Sequence, residues 1–128
     1  MTDFETAKRC AAEMWKVDKA SRSLGIEVRV TGLGAATATM HVREDMLNGL
    51  DVCHGGMLFA LADTACAFAC NSYNRVTLSA SGKIHFLRSA RLGDVLTAIA
   101  VEDYRGGRRG FYTCLLYTSD AADEYNPV

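Results

Sequence analysis

The chain has 128 residues, 49% of them apolar and 23% charged, with a formal net charge of −1. That is enough for one domain with a core of its own, and too rich in apolar residues for a disordered chain. The near-neutral balance excludes a global field that would recruit nucleic acid or an anionic membrane.

Asp3 and Glu5 stand where a signal peptide would carry basic residues, so a cytoplasmic protein is expected. Five cysteines, an odd number, suit a reducing compartment better than a disulfide framework. Thr2 and Glu5 have capping-box spacing, and Phe4, Ala7, Ala11, Met14 and Trp15 then recur at helical intervals. A one-sided helix is predicted, ending before Gly25. Ile26, Val28 and Val30 alternate, and a second alternating segment runs from the glycines at 32 and 34 to Val42; together they read as a hairpin. Polar turn signals over residues 44–53 lead into Gly55-Gly56. The helix expected next, residues 57–70, is built from Ala, Leu, Phe and Cys and carries one charge, Asp63. An element apolar on nearly every side is expected to be buried on nearly every side. It is too short to span a bilayer.

After residues 71–75 come three strand-like segments, 76–87, 95–104 and 110–117, with the basic RGGRRG of 105–110 as a hairpin loop. The order of elements predicts an α+β fold, an antiparallel sheet wrapped around one central helix. Residues 114–124, reading CLLYTSDAADE, resemble a one-frame translation of a transposase-type sequencing adapter. The native domain is therefore expected to cover residues 1–113, with 114–128 a non-native tail and a true last strand missing.

Chemistry concentrates in residues 48–65, NGLDVCHGGMLFALADTA. His54-Gly55-Gly56 at a helix start offers free backbone N–H groups to an anion or oxyanion, and it equally describes a glycine turn. Asp63 suits a general base or nucleophile, since an idle buried carboxylate is costly; a structural carboxylate paired with an Arg or Thr64 is the alternative. Asn48-Gly49 reads first as a turn, and the Asn48 amide could instead orient water or a carbonyl. Asp63, Cys66 and Cys70 share a helical side downstream of His54, but the spacing matches no structural zinc site, and no metal is expected. Lys83, Arg88, Arg91, Arg105, Arg108 and Arg109 are scattered, without the interleaved aromatics of a nucleic-acid surface.

These blocks, NGLDVCHGGMLFALADTACAFACNS followed by KIHFLRSARLGDVLTAIA, resemble the hotdog-fold thioesterases of the phenylacetate-degradation (PaaI-type) family. Ser89 stands where that family usually has proline. The resemblance implies a strongly curved antiparallel sheet around a central helix, with a short N-terminal helix. It implies hydrolysis of acyl-CoA thioesters, commonly phenylacetyl or hydroxyphenylacetyl, with no cofactor. It further implies a homodimer or homotetramer with the active site between subunits. Asp63 then matches the catalytic carboxylate, Gly55 the residue whose N–H polarises the carbonyl, and Asn48 and His54 the orienting side chains of the facing subunit. A hydroxyl on the following strand is also implied, Ser79 or Ser81. Arg88, Arg105 and Arg108 are candidate contacts for the CoA phosphates. A non-catalytic acyl-CoA-binding hotdog module and a hotdog dehydratase are the alternatives to the thioesterase.

Overall fold

Thr2 opens the first helix, its hydroxyl accepting the Glu5 N–H at 3.1 Å, and α1 runs Asp3–Val17. The computed structural model of the protein describes residues 1–119. The single N-terminal helix expected from the sequence is in fact two. Asp18 leaves the helical region at ψ 87°, and its carboxylate accepts the Ser21 N–H at 2.9 Å to start α2, Lys19–Ser23. Aspartate is among the strongest N-caps, and here it restarts a helix inside a continuous apolar pattern.

The expected hairpin follows as β1, Glu27–Gly32, and β2, Ala35–His41, turning at Gly34 in the left-handed region (φ 73°). β3, Val95–Gly106, and β4, Arg109–Ser119, form a second hairpin through Gly107 (φ 58°). The four strands make one antiparallel sheet in the order β1-β2-β3-β4. Across the middle, Ala36, Ala38 and Met40 of β2 pair with Ala100, Ala98 and Leu96 of β3, all buried. So many alanines leave room for a helix to lie close, and α3, Gly55–Cys70, packs Leu58, Leu61, Ala65, Phe68 and Ala69 into that face. Trp15 of α1 meets Phe68 edge-on, ring centroids 6.5 Å apart. Among the described residues, no helix is long and apolar enough to cross a membrane.

Two expectations fail. α3 is not enclosed: Gly56, Phe59 and Asp63, spaced three and four apart, are exposed along its outer side. Residues 76–87 enter no strand ladder. They run back along the outside of α3 instead, from its C-terminal end to its start. The Asn71 side chain both accepts the Thr77 N–H and donates to the Thr77 carbonyl, each at 2.9 Å. Gly82 lies against the Phe59 ring and Phe86 against Gly55. Alternation makes a strand only where an edge is available to pair with, and none of the described strands reaches this segment. Val76 and Leu78 are accordingly 95% and 86% exposed.

The C-terminal end of α3 is pinned by polar contacts. Ser72 Oγ donates to the Ala69 carbonyl at 2.6 Å and accepts the Gly34 N–H at 2.8 Å. Glu102 donates its N–H to the Gly34 carbonyl, and its Oε1 accepts the hydroxyls of Tyr73 and Tyr112 at 2.9 and 3.2 Å. Burial, then the neighbouring Glu102, pushes both tyrosine hydroxyls up from their ordinary range. The boundary expected between residues 113 and 114 falls inside β4, and residues 120–128 of the expected tail lie outside the described residues.

Candidate active site

Asn48 organises the loop before α3. Its N–H donates to the Val52 carbonyl at 2.8 Å, and its Oδ1 accepts the N–H groups of Leu50 and Val52 at 2.9 and 3.3 Å. This is the turn role, and it holds the loop that delivers the next residue. Asp51 at φ 60° completes the bend. The His54 N–H is fixed to the Met46 carbonyl at 2.8 Å, and the Cys53 N–H to the Ala90 carbonyl at 2.7 Å.

His54 is the N-cap of α3, with Nδ1 accepting the Gly56 N–H at 2.9 Å. A ring that accepts at Nδ1 presents Nε2 as its donor, and the side chain is exposed. Met57 and Leu58 donate to the His54 carbonyl. In this first turn the Gly55 N–H alone makes no hydrogen bond among the described residues. A helix start with one open donor is suited to receive developing negative charge. Phe86 covers it from the side, its ring 3.1 Å from where a Cβ on Gly55 would stand.

Asp63 corrects the sequence reading: it is exposed rather than buried, and no arginine pairs with it among the described residues. Its Oδ1 accepts Ser79 Oγ at 3.3 Å. Ser81 is also exposed but makes no such contact, so of the two serines Ser79 is the one brought to Asp63. Asp63 follows Gly55 by eight residues, about 12 Å along a helix. Within one chain the carboxylate and the open N–H are therefore well apart.

The candidate arginines are also separated. Arg88 lies between Phe86 and Ala90, at the start of α3. Arg105 stacks over Tyr73, 3.8 Å from the ring centroid, beyond the end of α3, and Arg108 shares its hairpin. The neighbouring Cys114 of β4 pushes the Cys66 thiol up, and Cys66 lowers that of Cys114. Burial raises Cys70. Cys66 and Cys114 pack against the core, and among the described residues no three metal-ligating side chains converge.

A groove of about 220 Å³ that the sequence did not single out opens beside Asp63. Asp18, Ser21 and Leu24 form one wall, and Ala60, Asp63 and Thr64 the other. Ser21, 4% exposed, bridges the walls: its Oγ lies 2.7 Å from Asp18 Oδ2 and 2.9 Å from Thr64 Oγ1. The only trace of it in the sequence is the cap spacing of Asp18 and Ser21.

With this geometry, the comparisons with known proteins are specific. Residues 50–124 match the model of the thioesterase superfamily. The acyl-coenzyme A thioesterase PaaI of Escherichia coli K12 is 43% identical over 102 residues, spanning 80% of this chain and 73% of that protein. A putative esterase of Archaeoglobus fulgidus is 33% identical over 108 residues, 84% of this chain and 70% of that one. The solved structure of the E. coli PaaI protein, from the phenylacetic acid degradation operon, superimposes with a TM-score of 0.89 at 38% identity. It covers 91% of this chain and 85% of its own.

Proposed function

The chain belongs to the thioesterase superfamily and has the hotdog fold of its PaaI-type members, and from that premise we propose that it hydrolyses acyl-CoA thioesters to the free acid and CoA. Arylacetyl groups of the phenylacetyl or hydroxyphenylacetyl kind are the proposed acyl class, supported by the E. coli relative's place in the phenylacetic acid degradation operon. The observation that carries the mechanism is the pair formed by an exposed Asp63 with Ser79 at hand and a Gly55 N–H with no partner of its own.

Asp63 takes a proton from water as that water adds to the thioester carbonyl, or adds to the carbonyl itself and is later released by water. The carbonyl oxygen becomes an oxyanion, and a backbone N–H aimed at it lowers the barrier by about 3 kcal/mol. The intermediate collapses with loss of the CoA thiolate, which takes up the proton. Ser79 donates to Asp63 and fixes the carboxylate's direction. The separation of about 12 Å between Asp63 and Gly55 exceeds the reach of a single carbonyl group. The complete site therefore pairs Asp63 with the partner subunit's Asn48, His54 and Gly55, and a homodimer is the smallest active unit, with a homotetramer its extension. The exposed outer side of α3 supports that pairing. Five free cysteines support a cytoplasmic location. The catalytic domain is assigned to residues 1–113, with 114–128 an adapter-derived tail whose first residues occupy the end of β4.

Thiol release from phenylacetyl-CoA by the purified chain, with size exclusion on the same sample, tests this. Turnover by a dimer or larger species, lost by at least about hundredfold in Asp63→Asn, is expected for a general base. Because Asp63 is exposed, the same substitution leaves stability within about 0.5 kcal/mol. An Asp63→Asn protein that keeps most activity refutes the mechanism. A well-folded oligomer that binds phenylacetyl-CoA without turnover refutes the enzyme in favour of a binding module.

A further inference from the structure

We propose that the groove between α2 and α3 receives the acyl end of the substrate, and that Asp18 sets which ends it accepts. It admits uncharged ends, holds those with a hydroxyl donor, and turns away those with a carboxylate. This rests on the thioesterase reading, because Asp63 lines the groove and the acyl chain must leave the attacked carbonyl in some direction.

Asp18 is fixed in aim. Its Oδ1 accepts the Ser21 N–H at 2.9 Å, and its Oδ2 lies 2.7 Å from Ser21 Oγ. Ser21 Oγ, donating to Asp18, accepts in turn the Thr64 hydroxyl of α3 at 2.9 Å. The carboxylate is thus held across the groove from the helix that carries Asp63. A carboxylate accepts about four hydrogen bonds, so roughly two of its lone-pair sites remain for a ligand. Leu24 and the alanines at 20, 60 and 67 supply an apolar lining of small side chains. Among the described residues no lysine, arginine or histidine lines the groove. An acyl end bearing a carboxylate would meet the like charge of Asp18 with no cation among the described lining residues to offset it, whereas a hydroxyl would find a charged acceptor.

The test compares phenylacetyl-CoA, 4-hydroxyphenylacetyl-CoA and 4-carboxyphenylacetyl-CoA, probes of one shape that differ at the far end. The native chain should prefer the hydroxylated over the carboxylated probe by about hundredfold or more in kcat/KM. Asp18→Asn and Asp18→Ser both keep a capping side chain, so α2 survives, which a thermal melt verifies. In both variants the preference should shrink to within about tenfold, chiefly through KM. Equal turnover of the hydroxylated and carboxylated probes by the native chain overturns the proposal without any variant. So does an unchanged preference in folded Asp18 variants. If no probe is turned over, the thioesterase reading fails, and calorimetry decides the groove separately. Tighter binding of the hydroxylated probe, lost in Asp18→Asn, retains Asp18 as a selector; equal affinities overturn it.

Discussion

Replacing Gly34 by alanine strikes the structure where several constraints meet. The residue sits at φ 73°, a region that costs an L side chain roughly 1–2 kcal/mol. A Cβ there would lie 3.0 Å from Glu102 Cβ, from Glu102 Oε1 and from the Tyr73 hydroxyl. Glu102 Oε1 is the acceptor for both Tyr73 and Tyr112, so moving it loosens two bonds to a charged group, a loss of about 1.5–2 kcal/mol. Together these amount to about 2.5–4 kcal/mol. For 128 residues the entropy of unfolding is about 0.27 kcal/mol per kelvin, so Tm should fall by about 9–15 °C. Far-UV circular dichroism melts read this directly. In a Glu102→Ala background the two bonds to Oε1 are already gone, so what remains is the backbone part with the contact to the Cβ at position 102, a further fall of at least about 4–7 °C. A fall below about 3 °C in the native background, or an equal fall in both, would refute this account of the turn.

Phe68→Ala removes a ring that is 1% exposed and braced by Trp15. The expected loss is about 3–5 kcal/mol, or about 11–18 °C by the same melts. Ser79→Ala should lower kcat for phenylacetyl-CoA about fivefold, while Ser81→Ala leaves it unchanged; the reverse pattern would mean that the contact at 3.3 Å is not used in the reaction. The hydroxyls of Tyr73 and Tyr112 hold their protons more tightly folded than unfolded. Their contribution to stability is full below the unfolded value near pH 10 and is lost as pH rises through the higher folded values. Urea denaturation between pH 9 and 12 should show that decline, and Tyr112→Phe should make it shallower. An identical slope in the variant would remove the tyrosine cluster as its cause.

Much of the architecture is legible in residue order. The alternation of Val28, Val30 and the alanines of β2, and the long Ala/Leu/Phe/Cys run of α3, carry their periods openly. The helix break at Asp18 was hidden because Met14 and Trp15 keep an apolar period that continues toward Leu24, and only the cap geometry interrupts it. Residues 76–87 read as a strand because their pattern is strand-like; pairing is a property of the neighbouring edge, which a local pattern does not encode. The motif around Asn48, His54, Gly55 and Asp63 was visible as residue types. Its physics was not, since Asp63 proved exposed and His54 proved to be a cap. The groove at Asp18 joins residues more than forty positions apart through Ser21 and Thr64, a contact no local spacing announces.

The eight-residue interval between Gly55 and Asp63 has a genetic consequence. On the proposed site between subunits, where Gly55 at the start of α3 and Asp63 at its middle stand too far apart to serve one carbonyl, each subunit lends its carboxylate to one centre and its open donor to the other. A chain crippled at Asp63 and a chain crippled at His54 are then each inert as pure populations. Mixed and reassociated, they form hybrids in which one centre has both lesions and the other has neither. Two dead alleles of the one gene would together restore part of the activity, which a self-contained site could not do.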